Sequence, residues 1–66
     1  MSVAKVVEIT AASSTSFEDA IQKGITRAAK TLEDIQGAWV KEQKVVVKGT
    51  KIVEYRVDLK VTFVLK

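Results

Sequence analysis

The chain of 66 residues contains no cysteine and no histidine. Without cysteine it can form neither a disulfide nor a thiolate metal site, and without histidine it lacks the commonest general base and metal ligand. Its apolar runs are too short for a membrane-spanning helix or for the core of a signal peptide, which predicts a cytoplasmic protein. Its clustered serines have no neighbouring base to activate them, so we predict that the protein is not an enzyme.

An excess of positive charge is present but small. The sequence has 11 lysines and arginines against 8 acidic residues, a net charge of +3. The two signs are mixed along the chain and form no basic block, so a nucleic-acid-binding oligomer is only the third of our hypotheses. We predict one domain over residues 1–66. A domain of this size without disulfides or metals buries little surface, and it is therefore expected to oligomerise.

The longest regular pattern lies at the end of the chain, from Ile52 to Leu65. Apolar and polar residues alternate there, which predicts a β-strand with one apolar and one charged face. Fourteen residues at about 3.3 Å each give a strand of roughly 46 Å. The apolar face carries Val53, Tyr55, Val57, Leu59, Val61, Phe63 and Leu65. A strand of this length must extend beyond its own subunit.

The remaining elements follow from shorter patterns. Residues 3–10 read as a first strand, and an apolar stripe from Phe17 to Leu32 predicts a helix of about 17 residues and roughly 25 Å. Either Thr15 or Ser16 could cap this helix. A second strand is predicted from about Gln36 to Lys48.

The loop Gly49-Thr50 suits a type II′ hairpin turn between the second and third strands. The order strand, helix, strand, strand then predicts an α+β fold: a βαββ subunit with a three-stranded antiparallel sheet, order 1-3-2, packed on one helix. The turn also fixes a register, with Trp39 opposite Lys60, Lys41 opposite Asp58 and Gln43 opposite Arg56. In this register Glu42 and Lys44 fall on the apolar face, where they fit poorly; we interpret this as a part of the hairpin that has run past its helix.

Four motifs distributed over the chain resemble the dodecin family: Lys5-Val-Val-Glu-Ile9, Ser16-Phe-Glu-Asp-Ala20, Ala28-Ala-Lys-Thr-Leu32 and Tyr55-x-Val-x-Leu-Lys-Val-x-Phe63. The resemblance implies a hollow dodecamer of βαββ subunits that binds and stores a flavin, FMN or riboflavin, at subunit interfaces. It would make the chain a cytoplasmic flavoprotein. Its small-molecule ligand would be stacked between tryptophans across a two-fold axis.

The ligand site is where this sequence departs from the family pattern. Counting from Ile35, the family's stacking tryptophan lies two residues on, at Gly37, and its flavin-binding glutamine a further nineteen residues on, at Arg56. Trp39 lies two residues further along the same face. It could stack on a planar ligand in place of the missing tryptophan, or be covered by another subunit. The predicted ligand-binding residues are Gly37, Trp39, Lys41, Arg56 and Asp58.

Some family members without the tryptophan are associated with calcium rather than flavin. The alternative prediction is therefore a dodecin-like shell that binds another ligand such as calcium, or that has only a structural role. No metal-ligating residue can be transferred to this chain from the resemblance. Arg56 on the ligand-facing side argues against bare calcium and for an anionic or hydrogen-bonding partner.

Overall fold

The chain forms three strands and one helix in a computed structural model, which describes residues 3–65. The elements are β1 (Val3–Ser13), α1 (Phe17–Ala28), β2 (Ile35–Lys48) and β3 (Lys51–Leu65). The strands form one antiparallel sheet in the order β1-β3-β2. The predicted α+β class, βαββ topology and strand order 1-3-2 are all confirmed. Within residues 3–65 no helix is long and apolar enough to cross a membrane.

Ser16 caps the start of α1, which decides between the two predicted candidates. Its backbone is extended, and its hydroxyl accepts a hydrogen bond of 3.0 Å from the backbone N–H of Asp19. This bond satisfies one of the amide groups that have no partner inside the first helical turn. Glu18 and Asp19 in the first turn and Arg27 in the last complement the helix dipole.

The helix is shorter than its sequence pattern predicts, since it ends at Ala28 rather than near Leu32. The N–H groups of Thr31 and Leu32 both bond to the carbonyl of Ala28, at 3.1 and 2.9 Å, so the backbone tightens into a turn. Leu32 still packs against the core from this turn. The apolar spacing therefore continues beyond the helix, because the turn keeps Leu32 on the buried side.

Asp19 is held by two further partners. Its carboxylate accepts a hydrogen bond of 2.5 Å from the Ser13 hydroxyl and lies 2.9 Å from the amino group of Lys23. The bond from Ser13, and then that from Lys23, lowers the pKa of Asp19 below its usual 3.8. The folded state therefore favours the ionised carboxylate. The stability that this preference contributes is complete above the unfolded pKa and is lost as the pH falls through the folded one.

Replacing Asp19 by asparagine should accordingly flatten the acid limb of the stability profile. We expect the variant to lose less stability than the wild type between pH 5 and pH 3, because it has no carboxylate to protonate. Urea unfolding followed by circular dichroism at fixed protein concentration measures this difference. Glu18→Gln, in the same helical turn but without a side-chain partner among residues 3–65, should keep the wild-type slope. Equal slopes for wild type and Asp19→Asn would contradict the assignment.

The core lies where α1 packs on β1 and β3, and it is small. Its fully buried members are Ala20, Val57, Leu59 and Val61, with partly buried neighbours from β1 and α1. Gly24 permits the close approach of helix and sheet, because a Cβ there would lie 3.0 Å from the Cβ of Ala11. A helix of 12 residues spans about 18 Å, whereas the subunit is 51 Å long. The β2–β3 hairpin thus extends well beyond its helix.

The extending end of the hairpin and most of β2 are left open. Every residue of β2 except Ile35 and Val46 is exposed. At the end of the hairpin, Val47 and Ile52 lie opposite each other, and each is 51% exposed. A monomer that exposes a contiguous apolar surface of this kind usually buries it against another chain. The mismatch between hairpin and helix follows the prediction from the sequence.

Candidate ligand-binding face

The helix covers one face of the sheet and leaves the other open; the open side is called the outer face. On β3 the buried residues Val57, Leu59 and Val61 point to the helix, so the alternate residues between them point outward. Directly paired residues of neighbouring strands share a face. The outer face is therefore polar at its centre, where Glu8 of β1 and Trp39 of β2 both pair with Lys60.

Two β-bulges set the chemistry of this face. The predicted register holds at Lys48–Lys51, at Val40–Leu59 and at Trp39–Lys60. Between the pairs Lys48–Lys51 and Val40–Leu59, each strand has one extra residue: Lys41 on β2 and Val53 on β3. The pairing is therefore shifted by one residue between the two bulges and returns to the predicted register outside them.

The predicted pairs inside this window were wrong as a result. Glu42, not Lys41, lies opposite Asp58, and Lys44, not Gln43, lies opposite Arg56. The bulges bring Glu42 and Lys44 to the outer face, away from the core. This answers the misfit that the regular register produced: the two charged residues on the apolar face indicated a bulge rather than a run past the helix.

Trp39 and Gly37 line a shallow depression near one end of the outer face, together with Gln36, Ala38 and Thr62. The indole is 66% exposed. Gly37 pairs with Thr62 and has open space where a Cβ would be, so a side chain would fit there without moving the backbone. An exposed indole beside a residue without a side chain offers a flat apolar surface on which a planar ring could stack.

Arg56 and Asp58 line a second, more polar groove of about 330 Å³. The Thr10 hydroxyl donates a hydrogen bond of 3.0 Å to the carboxylate of Asp58, and the guanidinium of Arg56 is paired with Glu54. The groove also contains Glu42, Gln43 and Lys44. It combines fixed donors with fixed acceptors and is suited to a ligand edge that carries both.

Lys41 lies between these two regions and reaches across the sheet. Its amino group is 3.3 Å from the carboxylate of Glu8 on β1, and both side chains are about half exposed. Because the bulge projects Lys41 outward, this ion pair spans β3 above Lys60. An exposed pair of this kind stabilises little but restricts where a ligand can lie.

The five residues predicted for the ligand site therefore share one face but do not form one pocket. Gly37 and Trp39 are together, Arg56 and Asp58 are together, and four residues along β3 separate Arg56 from the partner of Trp39. That distance is about 13 Å. A ligand that touches both regions of one subunit must be at least that long, or the regions of two subunits must combine. The sequence reading missed Thr10, Glu42 and Lys44, which the bulge and the β1 pairing bring to the groove.

Comparison with known proteins gives a consistent result. Residues 3–66 match the family model described as Dodecin. Calcium dodecin of Mycobacterium tuberculosis is 38% identical over 66 residues, which cover 100% of this chain and 93% of that protein.

Solved structures share the fold. Dodecin from Streptomyces davaonensis has a TM-score of 0.94 at 29% identity, covering 98% of this chain and 96% of that one. A point mutant of Thermus thermophilus dodecin has a TM-score of 0.94 at 36% identity, covering 100% and 98%. The calcium-chelating calcium dodecin of M. tuberculosis, described with a novel calcium-binding site, has a TM-score of 0.84 at 36% identity, covering 97% and 91%.

Proposed function

Because this chain belongs to the dodecin family, we propose that it is a non-enzymatic, cytoplasmic protein that binds and stores a small ligand as a homododecamer. Residues 1–66 act as its single domain. The ligand lies on the outer face, where copies of the subunit meet. This assembly would also cover the apolar surfaces that one subunit leaves exposed.

The exposed Trp39 on the outer face is the observation that carries the proposal. An indole that is 66% exposed, on a strand with nearly every residue exposed, is left largely uncovered by its own subunit. A neighbouring subunit alone could cover it, but the adjoining Gly37 leaves space for a flat molecule beside it. The first candidate ligand is therefore a flavin, FMN or riboflavin, stacked on Trp39 with its polar edge toward charged side chains.

The position of Arg56 alters how such a ring would be held. Glutamine, which the family resemblance places there, both donates and accepts hydrogen bonds, whereas the guanidinium only donates. The carboxylates of Glu42 and Asp58 beside it supply the acceptors. Since these groups lie about 13 Å from the Trp39 region of their own subunit, the ring edge would meet Arg56 and the two carboxylates of a neighbouring copy, which favours a ligand with carbonyl and N–H groups side by side.

Titration with FMN and riboflavin tests the flavin assignment. Trp39 fluorescence should be quenched at micromolar flavin, because stacking places the ring against the only tryptophan. In Trp39→Ala, flavin affinity followed by flavin fluorescence should fall at least about tenfold, about 1.4 kcal/mol of binding free energy. The variant should elute at the wild-type volume. Unquenched Trp39 fluorescence would exclude stacking, and dissociation of Trp39→Ala would identify the indole as an interface residue instead.

Calcium is the second candidate, and one feature of the register supports it. Glu42 lies directly opposite Asp58, and two carboxylates in such a pair repel each other unless a cation lies between them. Carboxylate and hydroxyl oxygens are the ligands that Ca²⁺ prefers, and Thr10 adds a hydroxyl to the same groove. Within residues 3–65, however, no group of three acidic side chains could hold a metal. The remaining ligands would have to come from another copy or from water.

Isothermal titration with Ca²⁺ distinguishes this candidate. If the groove binds calcium, Glu42→Gln should weaken binding by at least about tenfold, since it removes one of the two opposed carboxylates. Glu18→Gln, far from the groove on α1, is the matched control and should leave the affinity unchanged. Calcium binding that is indifferent to Glu42 would place the ion elsewhere. The absorbance spectrum of the protein as purified from cells then shows whether the protein also carries a flavin.

A further inference from the structure

A second concave surface lies on the helix side of the sheet, away from the outer face. It is a groove of about 500 Å³ between α1 and the edge strand β1. Its apolar lining comes from Val7, Ile9 and Ala11 of β1, Gly24 and Ala28 of the helix, and Leu32 beyond the helix. Grooves of roughly 300–1,000 Å³ are the usual size for small-molecule sites.

The charged residues that line this groove are all positive. Lys23 and Arg27, one helical turn apart, both line it, and none of its lining residues is acidic. Lys23 is engaged by Asp19 at 2.9 Å. Arg27 has no ion-pair partner among residues 3–65. The groove thus combines an apolar lining with a guanidinium that no acidic side chain neutralises.

From this arrangement we propose that the groove between α1 and β1 binds an amphipathic anion, a molecule with an alkyl chain and a terminal carboxylate or phosphate. The alkyl chain lies along Val7, Ile9 and Leu32, and the anionic head pairs with Arg27. A planar guanidinium binds either head group through two parallel hydrogen bonds. The two grooves share Thr10 at the β1 edge, but none of the four residues proposed to hold the anion lines the groove of the outer face.

Charge complementarity favours such an anion over another copy of the chain. One exposed apolar part of a neighbouring subunit that could reach the groove is the hairpin end around Val47 and Ile52. That end also carries Lys48 and Lys51, which lie opposite each other across the turn. Two lysines brought to Arg27 would repel it, whereas a carboxylate or phosphate would neutralise it.

Three dodecyl compounds test the proposal by isothermal titration with the assembled protein, below the concentration at which each forms micelles. Dodecanoate and dodecyl phosphate share the alkyl chain and differ in head group, so their relative affinities identify the preferred anion. Dodecyltrimethylammonium has the same chain with the opposite charge. Both anions should bind, and the cation should bind at least about tenfold more weakly.

Two substitutions and one control locate the site. Arg27→Gln should weaken binding of either anion by about tenfold, since it removes the charged partner of the head group. Thr31→Phe, at an exposed position that lines the groove, should reduce binding by filling it. Lys30→Gln removes an exposed cation from the same end of the helix outside the groove and should change the affinity by less than about twofold. Elution volume and circular dichroism confirm that each variant folds and assembles.

Unchanged binding in Arg27→Gln, or equal binding of the cationic and anionic compounds, would overturn the proposal. So would the absence of binding by either anion to the intact assembly, which would show that a neighbouring subunit fills the groove. Flavin titration of Arg27→Gln should match the wild type. Failure of the outer-face ligand is therefore distinguishable from failure of this site.

Discussion

Replacing Leu59 with alanine is expected to abolish the folded subunit. Leu59 is fully buried on the central strand β3, beneath the helix, and the Cδ1 atom of its side chain lies against Gly24. Truncating a buried leucine costs about 2–5 kcal/mol, the larger values arising where the surroundings cannot collapse into the space. A core in a domain of this size rarely supplies more than about 3–5 kcal/mol. The stability lost in Leu59→Ala is therefore comparable to all that the core supplies.

Circular dichroism during thermal unfolding measures this effect. Leu59→Ala should lack a cooperative transition under conditions in which the wild type is folded. Leu59→Met, which nearly preserves the volume, is the matched control and should cost less than about 1.5 kcal/mol. If Leu59→Ala unfolded within a few degrees of the wild type, most of the stability would have to reside outside this core, in contacts between subunits.

Placing a charge on the apolar end of the hairpin should break the proposed assembly. In Val47→Asp, a carboxylate replaces a methyl-bearing side chain that we expect a neighbouring subunit to cover. Burying an unpaired carboxylate is strongly unfavourable. Each 1.4 kcal/mol of lost interface energy raises the concentration required for assembly about tenfold. Because a lone subunit keeps so small a core, its fold should be lost on dilution together with the assembly.

Light scattering coupled to size exclusion, repeated over a dilution series, measures the oligomer, and circular dichroism on the same samples measures the fold. Thr50→Asp introduces the same charge at the exposed turn beyond the apolar surface and should assemble like the wild type. A folded monomer of Val47→Asp at micromolar concentration would show that the subunit does not need its neighbours. An unchanged oligomer would show that the hairpin end lies outside the interface.

The elements and their order could be predicted from the sequence, because each is encoded by a local pattern. The alternation from Ile52 to Leu65 and the apolar stripe after Phe17 place β3 and α1. The hairpin turn also behaves as expected. Gly49 has a φ of +64°, and the non-glycine residue with positive φ among residues 3–65 is Asp34, outside the turn. This is the pattern of a type II′ turn, which requires positive φ at its first central residue alone.

Element boundaries were less predictable, since they depend on distant partners. β1 continues three residues beyond its predicted end, to Ser13, because β3 is long enough to pair with it as far as Tyr55. The helix stops before Leu32, because the chain must return to begin β2 while keeping that leucine on the core. Neither the end of β1 nor the end of α1 can be read from the residues of that element alone.

The candidate site was predicted only in outline for a related reason. That Gly37, Trp39, Arg56 and Asp58 share one face follows from the alternation of side chains along the strands. Which residues meet across the strands depends on Lys41 and Val53, each left without a partner in the ladder. A bulge leaves no fixed signature in sequence; here its trace was the pair of charged residues assigned to an apolar face. The groove beside Arg27 left no such trace, because it depends on the distance between helix and sheet.

The bulge at Lys41 also limits how the subunits can associate. β2 is a sheet edge of 14 residues, and a flat exposed edge of that length is a template on which further chains could add without end, as in a fibril. The extra residue bends and twists this edge away from a straight course, and lysines along it oppose the approach of an identical strand. A bent, charged margin opposes the open-ended addition of identical strands. The same irregularity that brings Glu42 and Lys44 to the outer face therefore also opposes fibril-like growth at this sheet edge.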